Sequence, residues 1–170
     1  MKHIYIIFLT FPIISFSQQE YEEYYSNGNL KIETTYYYDK LNGYFKSFYD
    51  CGTLESEGHY KNNQKKGFWK YYYKNGEVKS KKNYKYGKLR GYFMSFYQNG
   101  QLKEEGNYID VQEKHGLWKT YYKNGQLKSE EIYKDKSLVS YKYFDVDGKG
   151  PSPSNKVFTK YNPLYRPSSW

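Results

Sequence analysis

Glycine recurs in this chain on a fixed beat. Gly28, Gly52, Gly76, Gly100 and Gly125 lie 24, 24, 24 and 25 residues apart, and a second series, Gly43, Gly67, Gly91 and Gly116, runs between them with the same period. Self-similarity at such a period marks a repeat architecture, in which each unit buries its apolar surface against the next copy.

Other residue types keep the same beat. Two residues after each glycine of the first series stands Leu30, Leu54, Val78, Leu102 or Leu127, and six further on stands a tyrosine: Tyr36, Tyr60, Tyr84, Tyr108 and Tyr133. Two residues after each glycine of the second series comes a large ring, Phe45, Trp69, Phe93 or Trp118, and four later Tyr49, Tyr73, Tyr97 or Tyr122. The stretch Gly43 to Tyr60 also echoes Gly91 to Tyr108, so the array repeats best every second unit. Asn-Gly between two alternating runs is a strong hairpin signal, because both residues tolerate positive φ. A two-residue turn at Asn75-Gly76 predicts that Tyr73 faces Val78, Tyr71 faces Ser80, Trp69 faces Lys82 and Gly67 faces Tyr84. On that register each glycine of the second series is a bare patch covered by a cross-strand tyrosine ring. No helical period follows residue 17. The expected fold is all-β: an elongated, single-layer antiparallel β-meander of repeated hairpins, about 24 residues per unit, with five units and a degraded sixth at Gly148.

With Leu, Ile and Val scarce and 25 tyrosines present, aromatic rings must supply most of the burial. The face carrying Tyr49, Leu54, Trp69 and Tyr73 has the more regular apolar set and is assigned to packing along the array. The opposite face mixes rings with lysines, and its Tyr44, Lys46, Phe48, Phe68, Lys70, Tyr72, Tyr92, Phe96, Lys119 and Tyr121 are the candidate partner-binding residues. A row of exposed rings exceeds what a soluble surface needs and marks an interaction site. Self-stacking of this face on a second copy, or a reversal of the two faces, stays open. Glu57 and Glu130 lie across from Lys46 and Lys119 and can pair with them, each exposed pair being worth only about 0.2–1 kcal/mol.

The flanks break the pattern. Residues 1–17 run from the basic start MKH through an uncharged apolar stretch to Ser15-Phe16-Ser17, the order of a signal peptide. Cleavage after Ser17 predicts an exported chain, periplasmic or extracellular, with a repeat domain over 18–148. Residues 149–170 hold four of the five prolines and form a Pro/Ser-rich tail that cannot extend a β-ladder. It is read either as a cap on the last hairpin or as disordered. The single cysteine, Cys51, takes a turn slot where other units have Asn, so no internal disulfide is expected.

Catalysis has no visible constellation. His59 and His115 lack neighbouring ligands at metal spacing, adjacent carboxylates such as Glu104-Glu105 point to opposite faces of a strand, and no glycine loop precedes a helix. A non-enzyme with no cofactor and no metal is expected. The formal charge of +9 favours an anionic partner. Nucleic acid is disfavoured, because Lys alternates with Glu along the strands and Arg occurs only at 90 and 166. The open partners are a protein, or an anionic envelope surface of lipid headgroups or polysaccharide.

The run Tyr84-Lys-Tyr-Gly87-Lys-Leu-Arg-Gly91 fits the Y-x-x-G-x-x-x-G core of MORN repeats. The wider phrase, Tyr-x-Asn-Gly-x-Leu-Lys-x-Glu followed by Tyr and then Gly-x-Trp, resembles the bacterial MORN-variant repeat of proteins labelled YwqK-type antitoxins. The resemblance covers about residues 20–147, with Asp39, Asn63 and Lys136 in place of the middle glycine and Ser140 in place of a second-series glycine. It implies a β-hairpin array serving as a scaffold for proteins or membrane lipid headgroups, or as an antitoxin-like protein that binds and neutralises a toxin.

Overall fold

The computed structural model describes residues 18–110 and 113–147. The expected signal peptide, the sixth glycine Gly148 and the C-terminal tail lie outside these residues. Among the described residues, eleven strands form one antiparallel sheet whose strand order follows the sequence. They are β1 (Gln19–Tyr24), β2 (Leu30–Tyr37), β3 (Lys40–Phe48), β4 (Leu54–Lys61), β5 (Gln64–Tyr72), β6 (Val78–Lys85), β7 (Lys88–Phe96), β8 (Leu102–Asp110), β9 (Glu113–Tyr121), β10 (Leu127–Lys134) and β11 (Ser137–Tyr143). Among the described residues there is no helix and no second layer. The all-β hairpin meander is therefore the fold.

The two edges of this ribbon turn differently. Along one edge, the Asn-Gly turns hold three residues, not two. The Gly76 amide donates to the Tyr73 carbonyl at 2.9 Å, and the Tyr73 amide donates to the Glu77 carbonyl at 2.8 Å. With Gly76 at φ +87°, this is a type I turn followed by a left-handed glycine. Tyr73 therefore closes the turn against Glu77, and Val78 pairs with Tyr72. The rest of the predicted register stands, with Tyr71 opposite Ser80, Trp69 opposite Lys82 and Gly67 opposite Tyr84. The slip moves Leu54 as well: it pairs with Phe48, not Tyr49, and so belongs to the face opposite Trp69. Along the other edge the turns are two residues long, as at Asn62 (φ 49°) and Asn63 (φ 64°) between the paired Lys61 and Gln64.

The second glycine series serves a different purpose from the one expected. Gly43, Gly67, Gly91 and Gly116 all have positive φ and sit where the register with the preceding strand shifts. They are β-bulge residues, for which a left-handed backbone conformation is required. A Cβ at Gly67 or Gly116 would meet nothing within 4 Å, so no tyrosine ring covers those sites.

The ring-covered glycines are Gly58 and Gly106. A Cβ on Gly58 would fall 2.4 Å from the Trp69 indole, and one on Gly106 would fall 2.3 Å from that of Trp118. Each tryptophan lies flat on the backbone of the preceding strand and donates its Nε1–H to a carbonyl there, His59 for Trp69 and Asn107 for Trp118, both at 3.2 Å. Both indoles are fully buried, and Phe93 is almost so. The repeating tyrosines fill the spaces between these rings. Tyr60 meets Phe45 and Trp69 edge-on at 5.2 and 5.0 Å, and Tyr108 meets Phe93 and Trp118 at 5.5 and 4.9 Å. Such contacts are worth about 0.5–1.5 kcal/mol beyond the area buried. The phenylalanine units have Thr34 and Lys82 where the tryptophan units have glycine. This alternation accounts for the double-length echo.

Neighbouring units are also tied at the turns. The hydroxyls of Tyr25, Tyr49, Tyr73, Tyr97 and Tyr122 donate to the carbonyls of Phe48, Tyr72, Phe96, Tyr121 and Phe144 in the next unit, at 2.7–2.9 Å. Asn75 accepts from the Glu77 amide within its own turn and donates to the Gln98 carbonyl of the next, and Asn27, Asn99 and Asn124 act alike. Cys51 cannot donate in this way, and the Thr53 hydroxyl reaches the Lys74 carbonyl at 3.2 Å instead.

Two outcomes follow for stability. Gly58→Ala should destabilise the chain by about 1–3 kcal/mol, the usual penalty for overpacking. Trp69→Phe should remove most of that penalty in a double-mutant cycle measured by denaturant unfolding. Cys51→Asn, which restores the missing tie, should add about 0.5–1 kcal/mol.

Candidate functional site

The face opposite the indoles is built from the even-numbered positions of β3, β5 and β7, the odd-numbered positions of β9, and their cross-strand partners. Its residues fall into two rows with a polar line between them. Nearest the Asn-Gly turns, Phe48 pairs with Leu54, Tyr72 with Val78, Phe96 with Leu102 and Tyr121 with Leu127, all half-buried. Nearer the other edge stand Tyr44, Phe68, Tyr92 and Leu117, with Ile132 paired to Leu117. This outer row is open: Phe68 is 68% exposed, Leu117 48%, Ile132 44% and Tyr92 40%.

Between the rows the tyrosines clamp carboxylates. Glu57 accepts from the Tyr44 hydroxyl at 2.5 Å, from the Tyr72 hydroxyl at 2.6 Å and from the Lys70 ammonium at 3.1 Å. Two units on, Glu105 accepts from the hydroxyls of Tyr92 and Tyr121, each at 2.6 Å. These donors stabilise the ionised carboxylate. The Tyr44 and then the Tyr72 hydroxyl hold the Glu57 carboxyl down at about 2, against the opposing effect of burial and with help from Lys70. Glu105 is lowered in the same way by Tyr121 and Tyr92. The clamping phenols move the other way. Burial and the Glu57 bond raise Tyr44 to about 12, and the Glu105 bond with burial raises Tyr92 to about 12.

The lysines of this face are largely neutralised. Lys46 lies opposite Glu57 in register, yet its ammonium reaches Glu33 at 3.0 Å, because the tyrosines already occupy Glu57. Lys70 binds Glu57, and Lys119 stands 3.9 Å from Glu130 as expected. The ten candidate residues thus share one face but not one role. Phe68 is open to a partner, and Tyr92 exposes its ring while its hydroxyl holds Glu105. Tyr44, Tyr72, Lys70 and Tyr121 are engaged with Glu57 or Glu105, and Phe48 and Phe96 pack against leucines. Leu117, Ile132 and the Leu54, Val78, Leu102 and Leu127 row were missed. Only the true turn length could have revealed that row, since a two-residue turn sends those leucines to the other face. No group of His, Cys, Asp and Glu among the described residues could hold a metal ion.

Compared with known families, the chain matches the MORN repeat variant over residues 20–36, 41–62, 67–86, 89–110 and 114–135, more than half its length. No curated protein matches it.

The Glu57 clamp makes stability depend on pH. A carboxyl whose pKa is depressed on folding contributes stability above its unfolded value, and this is lost as pH falls through the folded value. Glu57→Gln should therefore destabilise the chain at pH 7 by about 1–3 kcal/mol. The gap between the two proteins should shrink as pH drops from 4.5 to about 2, measured by urea unfolding across that window.

Proposed function

The chain belongs to the MORN repeat variant family, whose arrays serve as repeat scaffolds, and from that premise we propose that it is an exported, non-catalytic scaffold that binds a protein through its aromatic face. The observation that carries this reading is the outer row. Phe68, Tyr92, Leu117 and Ile132 stand 40–68% exposed on one face of a sheet that has no covering layer among the described residues. The half-buried row beside it is consumed by its own cross-strand pairs, so the outer row is what remains for a partner. Export is supported by the basic, apolar and small-residue order of residues 1–17.

An anionic envelope surface is the weaker candidate for this face, because Lys46, Lys70 and Lys119 already have carboxylate partners. The antitoxin-like reading needs a toxin in the same compartment, and export works against an intracellular one.

The double variant Phe68→Ser, Leu117→Ser removes two exposed apolar side chains that make no hydrogen bond. Its stability should stay within about 0.5 kcal/mol of wild type, as for surface substitutions generally. Cross-linking in the native cell envelope, followed by mass spectrometry, should recover partners with the wild-type chain that the variant loses. Recovery of the same proteins at the same yield would remove this face from the reading.

A further inference from the structure

Trp69 and Trp118 sit in equivalent units, and each has a lysine lying over its indole, Lys65 at 4.1 Å and Lys114 at 4.2 Å from the ring centre. Their charge environments differ. The Lys114 ammonium is paired with Glu104 at 2.7 Å, and Glu131, on the neighbouring strand, accepts from the Tyr133 hydroxyl at 2.9 Å. In the Trp69 unit the residues at those two positions are Ser56 and Lys82. Both carboxylates are gone, and one is replaced by a second cation. Among the described residues, neither Lys65 nor Lys82 has an acidic partner.

What Lys65 does have is a set of hydroxyls. Its ammonium donates to the Tyr71 hydroxyl at 2.8 Å, and Tyr71 shares a hydrogen bond with the Tyr84 hydroxyl at 3.1 Å. Lys65 and Lys82 stand 5.2 and 4.7 Å from the centre of the Tyr71 ring, so both cations converge on it. Half-buried ammonium groups without a counter-charge lose hydration and gain no ion pair in return. Burial first, and a neighbouring lysine second, lowers the pKa of each. Beside Lys65 opens a cleft of about 590 Å³ at the edge formed by the two-residue turns. Lys61, Lys66 and Lys85 also line it, and no carboxylate does. A sequence that breaks its own repeat at a cost in stability marks a functional position.

We propose that Lys65, Lys82, Tyr71 and Tyr84 form a binding site for an anionic ester group, a phosphate or a sulfate, whose remainder lies in the lysine-lined cleft. The two ammonium groups supply the counter-charge, the phenol hydrogen left over from the Tyr71–Tyr84 bond supplies a further donor to the oxygens, and the Trp69 indole forms the floor. The site is on the opposite face from the outer aromatic row and does not depend on what that row binds.

Calorimetric titration of the full chain with inorganic phosphate and, separately, inorganic sulfate at constant ionic strength tests this. The wild-type chain should bind one equivalent of at least one of the two, and which one it prefers identifies the ester class. Lys82→Glu installs the residue that the Trp118 unit already carries, so it should fold, which circular dichroism can check. It should weaken binding at least about tenfold. The reverse triple variant, Glu104→Ser, Thr120→Tyr and Glu131→Lys, gives the second unit the first unit's charges and its second phenol, and should add a second equivalent. No saturable binding of either anion, binding unchanged by Lys82→Glu, or a folded triple variant without a second equivalent would each overturn the proposal.

Discussion

A sheet with no second layer has nothing to pack against except itself. That constraint governs the described residues of this molecule. Burial has to come from rings that lie flat along the sheet and shield one another, and a ring as large as indole lies flat only where the strand beneath has no side chain. Gly58 and Gly106 meet that condition, and Trp69 and Trp118 are consequently the fully buried apolar residues of the described chain. Tyrosine is suited to the gaps, because its ring packs edge-on while its hydroxyl reaches a polar partner within the same surface. The scarcity of leucine, isoleucine and valine follows from the same need: aliphatic side chains stand up from a sheet and need a facing layer to bury them.

Much of this was legible in the glycine period. A glycine that recurs every 24 positions in a strand-forming chain marks a turn or a bulge, and both series do so. The functions assigned to them were only partly right. Asn75-Gly76 suits a two-residue turn, but the same dipeptide can close a three-residue loop with glycine alone in the left-handed region, and sequence does not separate the two. The one-residue slip hid Leu54, Val78, Leu102 and Leu127 from the aromatic face. The glycines lying under tryptophan, Gly58 and Gly106, were passed over because they occur in alternate units only. The Glu57 and Glu105 clamps were beyond reach for another reason. Tyr44 and Tyr72 lie 28 residues apart, and their convergence on one carboxylate depends on bulges that set how far each strand is displaced.

The two faces divide labour by charge. On the aromatic face Lys46, Lys70 and Lys119 each find an acid, and what remains open is largely apolar. On the indole face the second tryptophan unit is balanced in the same way, whereas the first is not. Among the described residues the positive charge is thus unevenly felt. Unpaired lysines gather around Lys65, Lys82 and the neighbouring turn edge, where the chain departs from its own repeat.

The alternation of tryptophan over glycine with phenylalanine over a side chain also sets how such an array can change length. Losing one unit would seat two rings of the same kind side by side, or lay an indole on a strand that carries Thr34 or Lys82 at the position it must cover. Losing or duplicating two units preserves the stacking of tryptophan over glycine. A gene encoding this fold is therefore free to grow or shrink in steps of two units, and recombination between copies an odd number of units apart is selected against by the stacking itself.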